Sequence, residues 1–274
     1  MTGWEALTLG AVQGLTEFLP ISSSGHLVIL QSVFGLKEPL LFFDVMMHLA
    51  TLGSLVAVFR EDLLWLWHSV ASKPRAAPSS NPNPDRSAQG GRQFVLLLAV
   101  GTLPAGLLGV LFHTPLERLF ASPAAAGAML LVTGLMLWTT KKMPMGVRGL
   151  KAIRWSDALI IGLAQGLGLV PGISRTGATI VAALFLGLER ELAARYSLML
   201  AIPAIAGAVV LSALAGGTAS SGFGIVLAAM VVAFLTGYAA LRIVLRVVVA
   251  GKLSAFAPYC WLVGILALIM AAVV

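Results

Sequence analysis

Three ionisable side chains stand inside otherwise apolar stretches of this chain: Glu17, His26 and Arg175. Asp44 and His48, i and i+4 on one helix face, join them near the end of another apolar run. A charge at the bilayer centre costs at least ~2.5–3.5 kcal/mol on insertion scales, so such residues mark functional sites by default. Around them lie hydroxyls and glycines in two strings: QGLTEFLPISSSGHL at 13–27, with Ser22, Ser23, Ser24 and Gly25, and QGLGLVPGISRTGAT at 165–179, with Ser174, Thr176, Gly177 and Thr179. Each string breaks one helix and opens another, whose N-terminal N–H groups and positive dipole end favour an anion. Arg175 adds a fork of donors suited to phosphate oxygens. Gln13 and Glu17, one turn apart, offer oxygen ligands to a hard cation such as Mg²⁺ or Ca²⁺.

The elements that must hold these residues are membrane helices. Of 274 residues 59% are hydrophobic and only 11% charged, against about 25% charged in a soluble domain, so a soluble protein is excluded. The net charge of +7 lies between apolar runs instead of along one face, which argues against nucleic acid. A lone cysteine, Cys260, excludes an intramolecular disulfide and a multi-cysteine metal site. No cleavable signal peptide is expected. Six stretches are long enough to span, 43–60, 93–113, 123–140, 196–216, 222–241 and 256–274. Two others, 5–36 and 157–188, are interrupted by Pro, Gly and hydroxyl residues and read as re-entrant helical hairpins, whose irregular backbone must be buried or line a cavity. One long kinked helix is the simpler alternative for each.

With six spans, 15 of the 18 basic residues fall in 60–92, 141–156, 189–195 and 242–255, all on one side; Lys37, Arg118 and Arg175 are the exceptions. The positive-inside rule places that side in the cytoplasm. Trp65, Trp67, Trp138, Trp155 and Trp261 sit near the same boundary, as interface anchors should. Residues 72–92, with four prolines, read as a flexible cytoplasmic loop. At an offset of 152 the two broken segments match at Gln13/Gln165, Gly14/Gly166, Ser22/Ser174, Gly25/Gly177 and Gly35/Gly187. Each half (1–140 and 157–274) is then one hairpin and three spans. Because three is odd, the halves form an inverted-topology repeat whose hairpin tips can meet inside the bilayer. The fold expected is an all-α polytopic membrane protein, six transmembrane helices plus two re-entrant hairpins, in one integral membrane domain.

QGLTEFLPISSSGH at 13–26 and PGISRTGAT at 171–179 resemble, in order, spacing and location, the two signature motifs of the undecaprenyl-diphosphate phosphatase family of the bacitracin-resistance type. The resemblance implies a phosphatase of the bacterial plasma (inner) membrane that converts the C55-isoprenyl diphosphate carrier to its monophosphate. It implies that Gln13 and Glu17 bind metal, with Glu17 the essential acid, that Ser23 is the nucleophile with His26 beside it, and that Ser174, Arg175 and Thr179 bind the diphosphate. Gln13 departs from members with Glu there, which leaves the number of metals open. In the expected mechanism Ser23, with His26 as base, attacks the terminal phosphorus; attack by an activated water, with Ser23 only a donor, is the alternative.

Blander readings compete. Ser22, Ser23 and Ser24 are good helix caps, and Gly14, Gly25, Gly166 and Gly177 are good packing or turn residues. Asp44 and His48 either support the metal or His26, or form a structural polar pair. On architecture alone a secondary transporter or lipid flippase competes. The Ser-Gly-His string resembles a phosphatidic-acid phosphatase, but no second histidine follows Arg175. A homodimer is compatible with the sequence. With the first hairpin entering from outside, the site opens to the outer side and the lipid arrives laterally from the outer leaflet.

Overall fold

The computed structural model describes residues 1–36, 40–71, 87–214 and 222–273. These form twelve α-helices, with no β-strand among the described residues. The first broken segment is α1 (Gly3–Phe18) and α2 (Ser23–Val33); the second is α8 (Trp155–Leu167) and α9 (Arg175–Phe185). At 11 residues each, α2 and α9 rise only about 17 Å, far short of a hydrocarbon core about 30 Å thick. The arms of each pair pack on one another.

Both pairs are built by the same local devices at the same offset. Glu5 closes the first turn of α1 by accepting from the Thr2 N–H, and Asp157 does so for α8 from the Arg154 N–H at 2.8 Å. Leu19, held extended ahead of Pro20, ends α1, as a residue before proline should. Ser22 and Ser174 cap the returning helices, accepting from the Gly25 and Gly177 N–H groups at 3.3 and 3.0 Å. Gly35 (φ 68°) and Gly187 (φ 78°) end α2 and α9 in the left-handed region, where a Cβ is disfavoured.

The six expected spans fall on α3 (Leu41–Val58), α5 (Ala88–Leu111), α7 (Pro123–Thr139), α10 (Arg190–Leu214), α11 (Phe223–Val249) and α12 (Ala257–Val273). Five of them, α7 and α12 counted with their adjoining 3-10 turns, are long and apolar enough to cross a membrane. The sixth, α3, runs into α4 (Arg60–Ala71) at a 77° bend. The chain is an all-α, multi-pass membrane protein. Two details differ from the sequence-based expectation. Of the loop placed at 72–92, residues 72–86 lie outside the described residues, while Ala88–Arg92 are the first turn of α5, capped by Ser87 on the Gly90 N–H at 3.1 Å. Arg190, Arg195, Arg242 and Arg246, assigned to loops, lie in α10 and α11, because long basic side chains let a helix continue past the hydrocarbon while the charge stays wet. Residues 60–71 and α6 (His113–Phe120) are additional short helices.

Packing exchanges partners between the halves. α1 lies on α11 and α8 on α5; α3 lies on α11 and α10 on α5; α3 meets α10, and α7 meets α12. The close approaches rest on a Gly-xxx-Gly pair in each inner arm, Gly10 and Gly14 against Ala229, Ala233 and Thr236 of α11, and Gly162 and Gly166 against Gly101 and Leu108 of α5. Small residues at this spacing let membrane helices touch backbone to backbone.

Candidate active site

Glu17, in the last turn of α1, is the centre of a buried polar cluster. Its Oε1 accepts from an Arg175 guanidinium nitrogen at 2.6 Å. Its Oε2 accepts from Ser23 Oγ at 2.5 Å and from Gln13 Nε2 at 2.9 Å. His48, from α3, presents Nε2 at 3.7 Å from the same oxygen. The Glu17 and Arg175 side chains are 4% and 16% exposed, so the carboxylate is compensated where water is scarce, the condition under which a buried charge is tolerated. Ser23 and Arg175 occupy the same register in the two repeats, first residue of the returning helix, so the two hairpin tips converge on one carboxylate.

The tips also touch directly. Ser22 Oγ accepts from the Gly172 N–H at 3.2 Å, and a Cβ on Gly25 would come within 2.9 Å of the Gly172 Cα. Thr176 Oγ1 donates to the Glu17 carbonyl at 3.2 Å. Thr133, from α7, donates to the Gly172 carbonyl at 2.7 Å and accepts from the Ser174 N–H at 3.0 Å. Ser22 is the one non-glycine residue among those described with a positive φ, 68°. That conformation carries strain, and it directs the chain so that Ser23 reaches Glu17.

The structure brings together Gln13, Glu17, Ser22, Ser23, Arg175 and His48, but it pairs some residues differently from the expectation. Ser23 is hydrogen-bonded to Glu17, not to His26. His26 Nδ1 lies 2.7 Å from the Ser22 carbonyl and Nε2 2.9 Å from the Tyr259 hydroxyl. Asp44 accepts from Gln31 Nε2 at 2.9 Å, and only its backbone carbonyl meets His48, at Nδ1 and 2.7 Å; of that pair, His48 alone turns toward Glu17. Thr179 donates to backbone carbonyls of its own helix. Thr176, like Thr179, directs its hydroxyl to a backbone carbonyl. Ser174 serves as a cap, and Ser24 Oγ lies 3.3 Å from Ser22 Oγ.

Gln13 is fully buried and its Oε1 has no hydrogen-bond partner. Turning the amide over would set oxygen against the Glu17 carboxylate, so the orphan is the oxygen. Gln13 and Glu17 can thus offer oxygen to a cation; among the described residues no three His, Cys, Asp or Glu side chains converge as a metal cage. Tyr259, Gln31 and Thr133 escaped the sequence reading. Gln31 and Thr133 are polar residues in apolar helices and carried that signal; Tyr259 carried none, since only the fold brings it to His26.

A family model described as bacitracin resistance protein BacA matches residues 6–266. The chain is similar to proteins named undecaprenyl-diphosphatase from Desulfatibacillum aliphaticivorans (45% identical, covering 95% of each chain) and Desulfosudis oleivorans (47%, 95% of each). It is likewise 41% identical to the one from Carboxydothermus hydrogenoformans, over 99% of this chain and 98% of that one.

Proposed function

The chain belongs to the bacitracin resistance protein BacA family, and we propose from this membership that it hydrolyses undecaprenyl diphosphate to undecaprenyl phosphate and inorganic phosphate. The single observation that carries the chemistry is Glu17, held at the meeting point of the two hairpin tips by Ser23 and Arg175. A transporter built on inverted repeats does not need a serine on a buried carboxylate, and the full-length relatives are named as hydrolases.

In this reading Arg175 leaves Glu17 in part when a diphosphate arrives, because phosphate oxygens compete for its five donors. The carboxylate freed of its guanidinium then accepts the Ser23 proton. Ser23 Oγ attacks the terminal phosphorus, and the bond to the bridging oxygen breaks with undecaprenyl phosphate leaving. Water afterwards hydrolyses the phosphoserine and releases phosphate. Glu17 thereby takes the role of base that the family resemblance implied for His26. Ser22, Gly25, Ser174, Thr176 and Thr179 shape the two tips, and Ser24 is left to face the substrate.

The Mg²⁺ or Ca²⁺ implied by the family resemblance fits the donors present as a cation carried largely by the diphosphate, held by Glu17 and the orphaned Gln13 Oε1. Mg²⁺ commonly binds one or two carboxylates plus substrate phosphates. When bound, it would neutralise charge on the diphosphate oxygens. Two re-entrant hairpins in an inverted repeat, the first entering from the periplasmic side of a plasma (inner) membrane, would admit the lipid laterally from the outer leaflet.

The test is phosphate release from a polyprenyl diphosphate by purified protein under a chelator titration. Lipid transport without chelator-sensitive phosphate release would overturn the hydrolase reading. Ser23→Ala with activity within a few-fold of wild type would transfer the attack to water.

A further inference from the structure

The geometry points to Tyr259 as a positioning residue that fixes the tautomer and ring plane of His26. A carbonyl oxygen only accepts, so the 2.7 Å contact of His26 Nδ1 with the Ser22 carbonyl puts the imidazole proton on Nδ1. The other nitrogen, Nε2, is then an acceptor, and the Tyr259 hydroxyl donates to it at 2.9 Å. The two rings are nearly parallel, 4° between planes and 5.7 Å between centroids, so the hydroxyl reaches Nε2 edge-on and fixes the ring plane of the imidazole. The neighbouring Cys260 lies against the Pro20 carbonyl, and the first turn of α12 thus closes over the tip of the first hairpin.

The consequence passes through the backbone. Tyr259 donates to His26, and His26 donates to the carbonyl of Ser22, the residue with φ 68° that starts α2 and precedes Ser23. Ser23 Oγ must stay at 2.5 Å from Glu17, so the chain Tyr259–His26–Ser22 holds a strained turn in the conformation that aims the nucleophile. A residue from the last helix therefore sets the geometry of a serine near the N-terminus. This role rests on the hydrolase reading; the tautomer and the hydrogen bond do not.

The test is a double-mutant cycle on the full-length protein with a polyprenyl diphosphate, paired with ¹⁵N spectra of the imidazoles, of which the chain has four. Tyr259→Phe keeps the aromatic ring and deletes the hydroxyl. It should lower kcat about tenfold with KM within about twofold, tenfold being about 1.4 kcal/mol, near the upper end for one neutral hydrogen bond. In a His26→Ala background the same change should alter kcat less than about twofold, because coupled residues do not add. The resonance lost in His26→Ala should report Nδ1–H in the wild type and shift in Tyr259→Phe. Equal losses in both backgrounds, or wild-type kcat in Tyr259→Phe, would overturn the proposal. If Tyr259→Phe does not fold, a wild-type spectrum with the proton on Nε2 overturns it alone. A protein that cleaves no diphosphate yet shows the Nδ1–H signature would instead sink the hydrolase reading.

Discussion

Arg175→Ala tests the centre of the site through stability as well as activity. In the native protein the Glu17 carboxylate is 4% exposed and holds the guanidinium at 2.6 Å. Deleting the cation leaves the carboxylate buried with two neutral donors, Ser23 and Gln13, and His48 at 3.7 Å. Removing one partner of a buried ion pair costs about 3–5 kcal/mol, and the remaining donors place this case at the lower end, about 3 kcal/mol. At about 2–4 °C per kcal/mol for chains of 150–250 residues, Tm should fall by about 6–12 °C. Glu17→Gln combined with Arg175→Met removes both charges and replaces the fork with apolar volume, so Tm should return to within a few degrees of wild type while phosphate release stays abolished. Arg175→Lys should hold most of the stability but lose at least about tenfold in kcat, because an ammonium cannot supply the fork. The assay is thermal unfolding in one fixed detergent, with phosphate release on the same samples. The reasoning fails if Arg175→Ala melts with the wild type, or if the double variant melts as low as Arg175→Ala.

Three more outcomes follow from the packing and topology. Gly14→Leu and Gly166→Leu should each lower Tm well beyond Gly3→Ala: a Cβ at Gly14 meets Thr236 and the Ala233 carbonyl and one at Gly166 meets Leu108, whereas nothing lies within 4 Å of one at Gly3; equal melting of all three would refute the close-approach argument. Arg148→Ala should destabilise by about 2–3 kcal/mol, because Arg148 ties Asp157 at 2.5 Å, the Ala152 carbonyl and the Leu186 carbonyl together; Asp157→Asn should lose less. In a Cys260→Ser background, an impermeant thiol reagent added to intact cells should miss cysteines at Val147 and Lys252 and label one at Leu119; the reverse pattern would invert the assigned topology.

The spans were legible because each carries its signal locally, in length and hydropathy, and so were the two broken helices, because Pro20 and Pro171 with their flanking hydroxyls interrupt an apolar pattern. The site was legible for a related reason: in a membrane segment Glu17, His26 and Arg175 have few neutral explanations. What the chain order hides is who pairs with whom. His26 lies three residues after Ser23, and the family resemblance implied a nucleophile with its base beside it. In the fold, the helix begun at Ser22 turns the imidazole back onto the Ser22 carbonyl and toward Tyr259, while Ser23 points at Glu17. Three residues along a helix are neighbours on its surface, yet capping decides where each polar group is satisfied. Basic residues were read as loop markers for the same reason: their sidedness is local, but whether the helix continues beneath Arg242 and Arg246 is decided by packing.

The duplicated hairpins show why the site needs the repeat to be imperfect. The framework is kept at one offset: the acidic caps Glu5 and Asp157, the pairs Gly10/Gly14 and Gly162/Gly166, the cap serines, and the terminal Gly35 and Gly187. At the candidate-site positions the residues differ, Glu17 against Leu169, Ser23 against Arg175, His26 against Ala178. A symmetric pair built on the first sequence would bring two carboxylates and two serines to the tips with no guanidinium, and like charges would repel in a place where water cannot screen them. One built on the second would bring two guanidiniums and no base. Only the unlike pair gives attraction between the hairpins, the Arg175–Glu17 ion pair, and under the proposed function a cation that can turn to a phosphate. Gln13 and Gln165 mark the same divergence: the Gln13 amide nitrogen donates to Glu17, whereas that of Gln165 is buried without a partner, because Leu169 stands where its acid would be.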